Sequence, residues 1–364
     1  HSSEIFGPPA IMGLPYNMVF IIFLVFFAKN SHIEALMLAS VIASSTQFLI
    51  QVPAIRYQGY RYNLDVDTKD PYLKKTLLLV LPVMIGSAIN QINIIVDKSL
   101  ASNLPDGSIS ALTYASRMND LIIAVFVMAI TTVVFPMLAK AFSNENYSQV
   151  NKIMGLGINI ILIITVPATI GMLLLAEPII KIFFERGAFT ETATMMTSQA
   201  LIFYSLGLVA SSLRMLLNRV YYSFQDTRSP MINGITAVAA NISLNLLFID
   251  SMGHAGLALA TSISTTFATL LLFINLRKRL GKIGLKKYLI CFLKTLFSSI
   301  VMGLFVYLIY FKLTPLLPSV WIIEFLMLLL SVVVGVVIYI IMCSALRVGE
   351  MRIIIKTLAR KIRG

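Results

Sequence analysis

An all-α integral membrane protein with about ten transmembrane helices is the fold class this sequence predicts, and three observations predict it. Hydrophobic residues make up 58% of the 364 positions and charged residues 12%, against about 45–50% and about 25% in soluble domains. Apolar stretches near the ~20 residues that a spanning helix needs recur from one end to the other. The stretches are continuous rather than alternating, which argues against barrel strands. Backbone polar groups in lipid must then be satisfied within each segment, as a helix does.

The spans, in order, run roughly 9–28, 33–54, 76–100, 109–139, 153–176, 195–222, 230–250, 254–276, 288–311 and 319–345. Basic loops at 55–75, 140–152, 219–229 and 277–287 separate successive pairs, and a basic segment follows 346. The fourth span opens after the turn Leu104-Pro105-Asp106-Gly107-Ser108, where Ser108 suits an N-cap. Its excess length implies a non-membrane turn or a tilt. Pro82, Pro136, Pro167 and Gly171 fall inside spans, which membrane helices tolerate when neighbours re-satisfy the freed groups. In the loop Gln225–Pro230, Asp226 or Thr227 can cap the next helix, with Pro230 in its first turn.

The net charge of +13 would suggest nucleic acid in a soluble protein. Here the distribution explains it. With the first residues placed inside, 21 of the 29 Lys and Arg lie in inner segments and only four, Lys29, Lys181, Arg186 and Lys312, in outer loops. That asymmetry is the positive-inside rule. It puts both ends of the chain in the cytoplasm, excludes a nucleic-acid partner, and leaves Arg347–Arg363 as a basic tail drawn to anionic lipid. Cys291 and Cys343 fall near the inner face and read as free thiols. The chain opens on His1 without a signal-peptide pattern and reads as a stretch from inside a longer protein.

The sequence contains no phosphate-binding loop, no H-E-x-x-H, no Cys/His metal cluster and no nucleophile elbow. Enzyme chemistry is therefore not indicated. Transport work would come from an ion gradient, the membrane potential or the substrate's own gradient.

Polar groups within spans carry the remaining information, because a charge at the bilayer centre costs about 2.5–3.5 kcal/mol and normally faces a cavity or bundle interior. Ser87, Asn90, Asn93 and Asp97 share one face of the third span, with Gln91 beside it. They can line a cavity or cation site, or hydrogen-bond between helices. Lys98 lies near the outer end and reads as an anchor. Arg117 sits inside the fourth span with Asp120 at i+3 as its expected partner; a guanidinium there can grip a phosphate bidentately or serve a structural ion pair. Arg214 lies about 12 Å from its span's inner end, deep for snorkelling. Lys294 and Glu324 lie closer to the interfaces and read as snorkelling residues. Asn241 and Asn245, one turn apart, and Thr261 offer oxygen donors of low charge, suited to a hard monovalent cation or to helix packing. His32, His254 and the turn Glu185–Phe189 suggest no chemistry.

The run VDKSLASNLPDGSISALTYASRM (Val96–Met118) resembles the lipid II flippase family, MurJ/MviN, of the MOP exporter superfamily. So do FFERGAFT (Phe183–Thr190), YYSFQDTRSP (Tyr221–Pro230) and GHAGLALATS (Gly253–Ser262). The resemblance implies fourteen spans, of which these ten match the last ten. It implies a first-lobe remnant at 1–56, a cytoplasmic loop at 57–75, a six-helix second lobe at 76–280, two extra helices at 285–346 that flank the lipid tail, and a basic tail at 347–364. It further implies an alternating-access flippase in the bacterial cytoplasmic membrane. Its substrate would be the undecaprenyl-pyrophosphate-linked peptidoglycan precursor, lipid II, and membrane lipid and the cell-wall synthesis machinery would be partners. Arg117 matches a cavity arginine expected to meet the pyrophosphate; Asp120, Asn90, Asn93 and Arg214 are the other substrate-binding candidates. Asp97, Asn241, Asn245, the Leu257 carbonyl and Thr261 match a sodium site, with Asn245 where the family pattern has Asp. A polysaccharide-lipid flippase, a MATE-like drug/sodium antiporter, a polyprenyl-lipid transferase and a non-transporting scaffold are the rival readings.

Overall fold

The structure, a computed structural model, describes residues 11–27, 33–57, 91–281, 283–318 and 320–351, with isolated positions 73, 80, 84 and 88. The expected inner loop at 57–75 and the basic tail beyond 351 fall mostly outside them, as do His32, Ser87 and Asn90. The chain divides into two compact units, His1–Lys74 and Lys75–Gly364.

In the first unit α1 (Gly13–Phe26) packs against α2 (Ile33–Tyr57). Ala39 and Ala43, one turn apart on α2, are buried, as small residues are at helix contacts in membranes.

The second unit begins with α3, described as helix over 91–101. A left-handed Gly107 (φ +92°) sits at the N-cap of α4 (Ser108–Ile122). Ser108 is the first helical residue, and its hydroxyl donates to the Pro105 carbonyl at 2.7 Å instead of capping. A π-helical segment, Ile123–Val127, leads without interruption into α5 (Met128–Ser143). No non-membrane turn occurs within 109–139: the helix holds through Asn119-Asp120 and Pro136 for 36 residues, Ser108–Ser143. Its length, about 54 Å at 1.5 Å per residue, exceeds the ~30 Å core and requires tilt or extension beyond it.

Asn146 caps α6 (Tyr147–Phe184), accepting from the Gln149 N–H. The helix bends at Leu175, next to the carbonyl that Pro178 leaves without a donor. The span expected over 195–222 is two helices, α7 (Glu191–Leu206) and α8 (Leu208–Ser223), bent by 48° at Gly207. A Cβ on Gly207 would lie 2.7 Å from the Ser262 hydroxyl and 2.9 Å from its Cα. The bend thus seats bare backbone on the neighbouring helix.

Asp226 caps α9 (Arg228–Leu280) as expected, accepting from the Ser229 N–H at 3.0 Å, and also pairs with Arg279 at 2.6 Å. A straight helix of this length would separate Asn241 from Thr261 by about 30 Å, yet their side chains meet at 3.2 Å. The chain therefore turns back at Gly253, whose φ of +56° and ψ of −134° leave the helical region. Residues 228–252 and 254–280 form two antiparallel limbs, in line with two separate spans.

α10 (Leu285–Tyr307) continues through a π turn (Leu308–Leu313) and a 3₁₀ turn (Thr314–Leu316), and α11 (Trp321–Ala345) returns. This pair docks on α6. Tyr339 donates to the Ile163 carbonyl at 2.8 Å, and the Trp321 indole to that of Ile182 at 3.2 Å. Lys294 and Glu324 are not free snorkelling groups. Lys294 donates to the Leu346 carbonyl at 2.8 Å, and Glu324 pairs with Lys181 at 3.1 Å. Each sits near a helix end that leaves a group unpaired, and the docked geometry supplies the partner. The outer faces of α10 and α11 carry exposed Leu293, Phe297, Ile300, Leu329, Val333 and Val336.

Among the described residues six helices are long and apolar enough to cross a membrane, or seven with the bent pair α7–α8 taken as one span. Every described element is helical. The chain is a multi-pass α-helical membrane protein.

Candidate functional site

The residues nominated for a cation converge. Asp97 comes from α3, Asn241 and Asn245 from the first limb of α9, and Leu257 and Thr261 from its second. The reversal at Gly253 therefore brings the last four together, and α3 closes the cluster. The Asn245 amide donates to Asp97 Oδ1 at 2.6 Å and to Asn241 Oδ1 at 3.0 Å. Asn93, one turn before Asp97, donates to its other oxygen at 3.3 Å. Asn241 donates to Thr261 Oγ1 at 3.2 Å, and that hydroxyl donates to the Leu257 carbonyl at 3.0 Å. Asn241 and Asn245 are almost wholly buried, at 1% and 0% exposure.

Asn245 Oδ1 is buried without a partner, as are six other side-chain oxygens among the described residues, so that alone does not mark a site. The meeting of the inner atoms sets this cluster apart from ordinary interhelical bonding. Asp97 Oδ1, the inner atom of the Asn245 amide and the inner atom of the Asn241 amide approach one another pairwise at 2.6, 3.0 and 3.0 Å. One corner of that triangle is a carboxylate oxygen, an acceptor whenever Asp97 is ionised. However the two amides turn, one edge joins two oxygens or two nitrogens. A cation among inward-turned oxygens removes the conflict. Asp97, Asn93, Asn241, Asn245, Thr261 and the Leu257 carbonyl then provide six oxygen donors with a single formal charge. This donor chemistry fits a monovalent cation better than a divalent one. Among the described residues no cluster of three His, Cys, Asp or Glu side chains could hold a metal.

Beside the cluster, at the α7–α8 break, lies a chamber of about 170 Å³ lined by Ser116, Asn119, Asp120, Tyr204, Ser211 and Thr261, among others. Thr261 belongs to both. The carbonyls exposed at the end of α7 are satisfied by side chains: Ser262 donates to Phe203 O at 2.6 Å, and Asn119 to Tyr204 O at 3.5 Å. Discontinuous helices with liberated carbonyls are a recurring way to build polar sites in transporters. Sequence reasoning missed Asn119, Tyr204 and Ser211; the signal was Gly207 in mid-span followed by Ser211-Ser212.

Arg117 follows Ser116 on α4 but is not among the residues lining this chamber, and it is exposed. It does not pair with Asp120. The ion pairs among the described residues are Lys181–Glu324 and Arg279–Asp226. Arg117 thus keeps its full donor set for another group, while Asp120 lines the chamber. Asn93 joins the Asp97 cluster rather than Arg117. Arg214 is half-buried on α8, its guanidinium beside Gly234 of α9, and it forms no ion pair among the described residues. The Glu185–Phe189 turn is structural. Glu185 accepts from Thr194 at 2.6 Å, and Phe184 and Phe189 stack around Tyr114. His254 likewise contacts the Met196 carbonyl.

The chain matches the family model described as "Lipid II flippase MurJ" over residues 1–329. It is 36% identical over 230 residues to a probable lipid II flippase MurJ of Vibrio cholerae, covering 63% of this chain and 44% of that protein. With a probable lipid II flippase MurJ of Rickettsia prowazekii it shares 30% over 276 residues, 75% of this chain and 54% of that protein. The chain spans about half the length of these curated relatives. A solved structure titled as lipid II flippase MurJ in an inward closed conformation superposes with a TM-score of 0.74 at 26% identity, covering 95% of this chain and 68% of the other. An inward-facing MATE-family multidrug transporter of the MOP superfamily superposes at 0.64 with 15% identity, over 76% and 64%, a likeness of fold alone. Collinear sequence and superposable helices agree: the chain belongs to the lipid II flippase (MurJ) family.

Proposed function

We propose that the protein containing this chain moves lipid II across the bacterial cytoplasmic membrane by alternating access, as a transporter and not a hydrolytic enzyme. The observation that carries the reading is Arg117: a guanidinium on a membrane-spanning helix, exposed and with no carboxylate partner among the described residues. A charge in that setting is costly unless water or an anion meets it. A pyrophosphate offers paired oxygens that match the guanidinium fork. Arg214 and Asn90 are assigned to the same headgroup, and Asp120 to setting the orientation of Arg117 through their mutual attraction. The prenyl tail stays in the membrane along the exposed apolar faces of α10 and α11. The basic loops face the cytoplasm. An inside-negative potential, at about 2.3 kcal/mol per charge per 100 mV, favours inward return of the emptied cationic site.

Sodium is the proposed coupling ion, held by Asp97, Asn241, Asn245, the Leu257 carbonyl and Thr261, with Asn93 added by its contact with Asp97. Bound there, it supplies positive charge that draws α3 and both limbs of α9 together.

The cation cluster gives a second reading, a drug/sodium antiporter of the same superfamily, specific support. Binding of a fluorescent lipid II analogue to the full-length parent protein separates the two. The flippase reading expects Arg117→Ala to weaken binding about 10–100-fold, the worth of a charge-assisted hydrogen-bond pair, and Arg117→Lys to recover part of it. Unchanged binding by Arg117→Ala, together with efflux of cationic dyes, would favour the antiporter.

A further inference from the structure

α10 begins at Leu285, five positions after α9 ends at Leu280, and lies beside it, yet the two helices scarcely touch; α10 packs on α6 and α11. Between them lies a cleft of about 1060 Å³ whose floor is α6 and α8. Its depths are apolar: Leu162, Val209, Leu270, Phe273, Leu289 and Phe292 line them. Its mouth is not. Arg277 and Lys278 of α9 and Lys286 of α10 stand on opposite walls of one end. All three are exposed, and none forms an ion pair among the described residues. Arg279, by contrast, is already held by Asp226.

A gap this large between consecutive helices is filled in a membrane by acyl chains, because water has no partners there. Its volume exceeds the ~300–1,000 Å³ of small-molecule pockets. Its depth sets the length of the occupant. From Leu285 to Leu296 it follows α10 for about 16 Å, close to half of the ~30 Å hydrocarbon core. That is the reach of a lipid anchored in one leaflet, not of a long polyprenyl chain crossing both.

We propose that this cleft is a resident site for one anionic diacyl glycerophospholipid. Its acyl chains lie against the α6–α8 floor, and its phosphate is held between Arg277, Lys278 and Lys286. The Tyr288 side chain, which also lines the mouth, gives that end a hydroxyl. On the orientation proposed above the lipid belongs to the inner leaflet, and it wedges α10 against α6. The inference rests on the cleft and its charges and is independent of what the protein transports.

The test uses the purified chain equilibrated in nanodiscs of three parts phosphatidylethanolamine to one part phosphatidylglycerol, gently extracted and weighed by native mass spectrometry. The expected result is one phosphatidylglycerol per chain, enriched about fivefold or more over its share of the bilayer. The Arg277→Gln/Lys278→Gln/Lys286→Gln variant should lose that enrichment. Leu289→Trp leaves the charges in place but occupies the cleft from a 57% exposed position, and it should lose the retained lipid altogether. Helicity and elution volume report that each variant is folded. Retention of the two lipids in their input ratio by the parent chain would overturn the proposal. So would undiminished phosphatidylglycerol on the Leu289→Trp variant, or one-for-one displacement by a polyprenyl pyrophosphate.

Discussion

Asn245 concentrates the physics of the candidate cation site. Its nitrogen touches the one carboxylate of the cluster while its own oxygen is buried and unsatisfied. Replacing it with Asp adds a second charge within about 4 Å, where two unit charges interact by about 4 kcal/mol at an effective dielectric of 20. Asn245→Asp is expected to tighten sodium binding about tenfold or more, read as a larger thermal stabilisation by sodium chloride relative to choline chloride. Asp97→Asn should abolish the sodium-specific shift. An equal response of all three proteins to both salts would remove the site. Asp97, Asn241, Asn245, Leu257 and Thr261 were all legible in the sequence through family resemblance. Asn93 was legible from the helical face it shares with Asp97, to which it donates at 3.3 Å, but spacing along α3 cannot say which neighbouring helix that face meets. Arg117 and Asp120 illustrate the same limit. Their i, i+3 spacing permits an ion pair, yet the pair does not form.

At the scale of elements, hydropathy located the spans well but not their internal geometry. The expected spans 230–250 and 254–276 correspond to the two limbs of α9, because Gly253 and its polar flank interrupt the apolar run. The α7–α8 break was missed. Gly207 with Ser205, Ser211 and Ser212 around it was the one sequence signal, and the 2.7 Å approach to Ser262 shows why the helix bends there. Gly207→Leu forces that contact apart, and overpacking of this kind costs about 1–3 kcal/mol. The variant should melt several degrees lower in detergent, whereas Gly171→Ala, where a Cβ would meet open space, should not. The Lys181–Glu324 pair is half-exposed on the lysine side, so Lys181→Ala should change the melting temperature by no more than about 1 kcal/mol's worth.

For the whole molecule, the inner-to-outer split of Lys and Arg predicts which loops a membrane-impermeant maleimide reaches. Cys291 and Cys343 are buried, at 6% and 0% exposure, so single added cysteines can be read over their background. Lys312→Cys should label in intact cells, and Arg228→Cys only after permeabilisation. The reverse pattern would invert the proposed orientation. The fold class and the family were legible because they follow from hydropathy and collinear motifs. The cleft between α9 and α10 was not, since it arises from which helices fail to pack and leaves no trace in local composition.

The central claim is tested most directly by translocation itself. The full-length parent protein, reconstituted into liposomes with labelled lipid II in the inner leaflet, should expose the headgroup outside at a rate that Arg117→Ala lowers by about tenfold or more. Equal rates for the two proteins, or for parent liposomes and protein-free ones, would contradict the account.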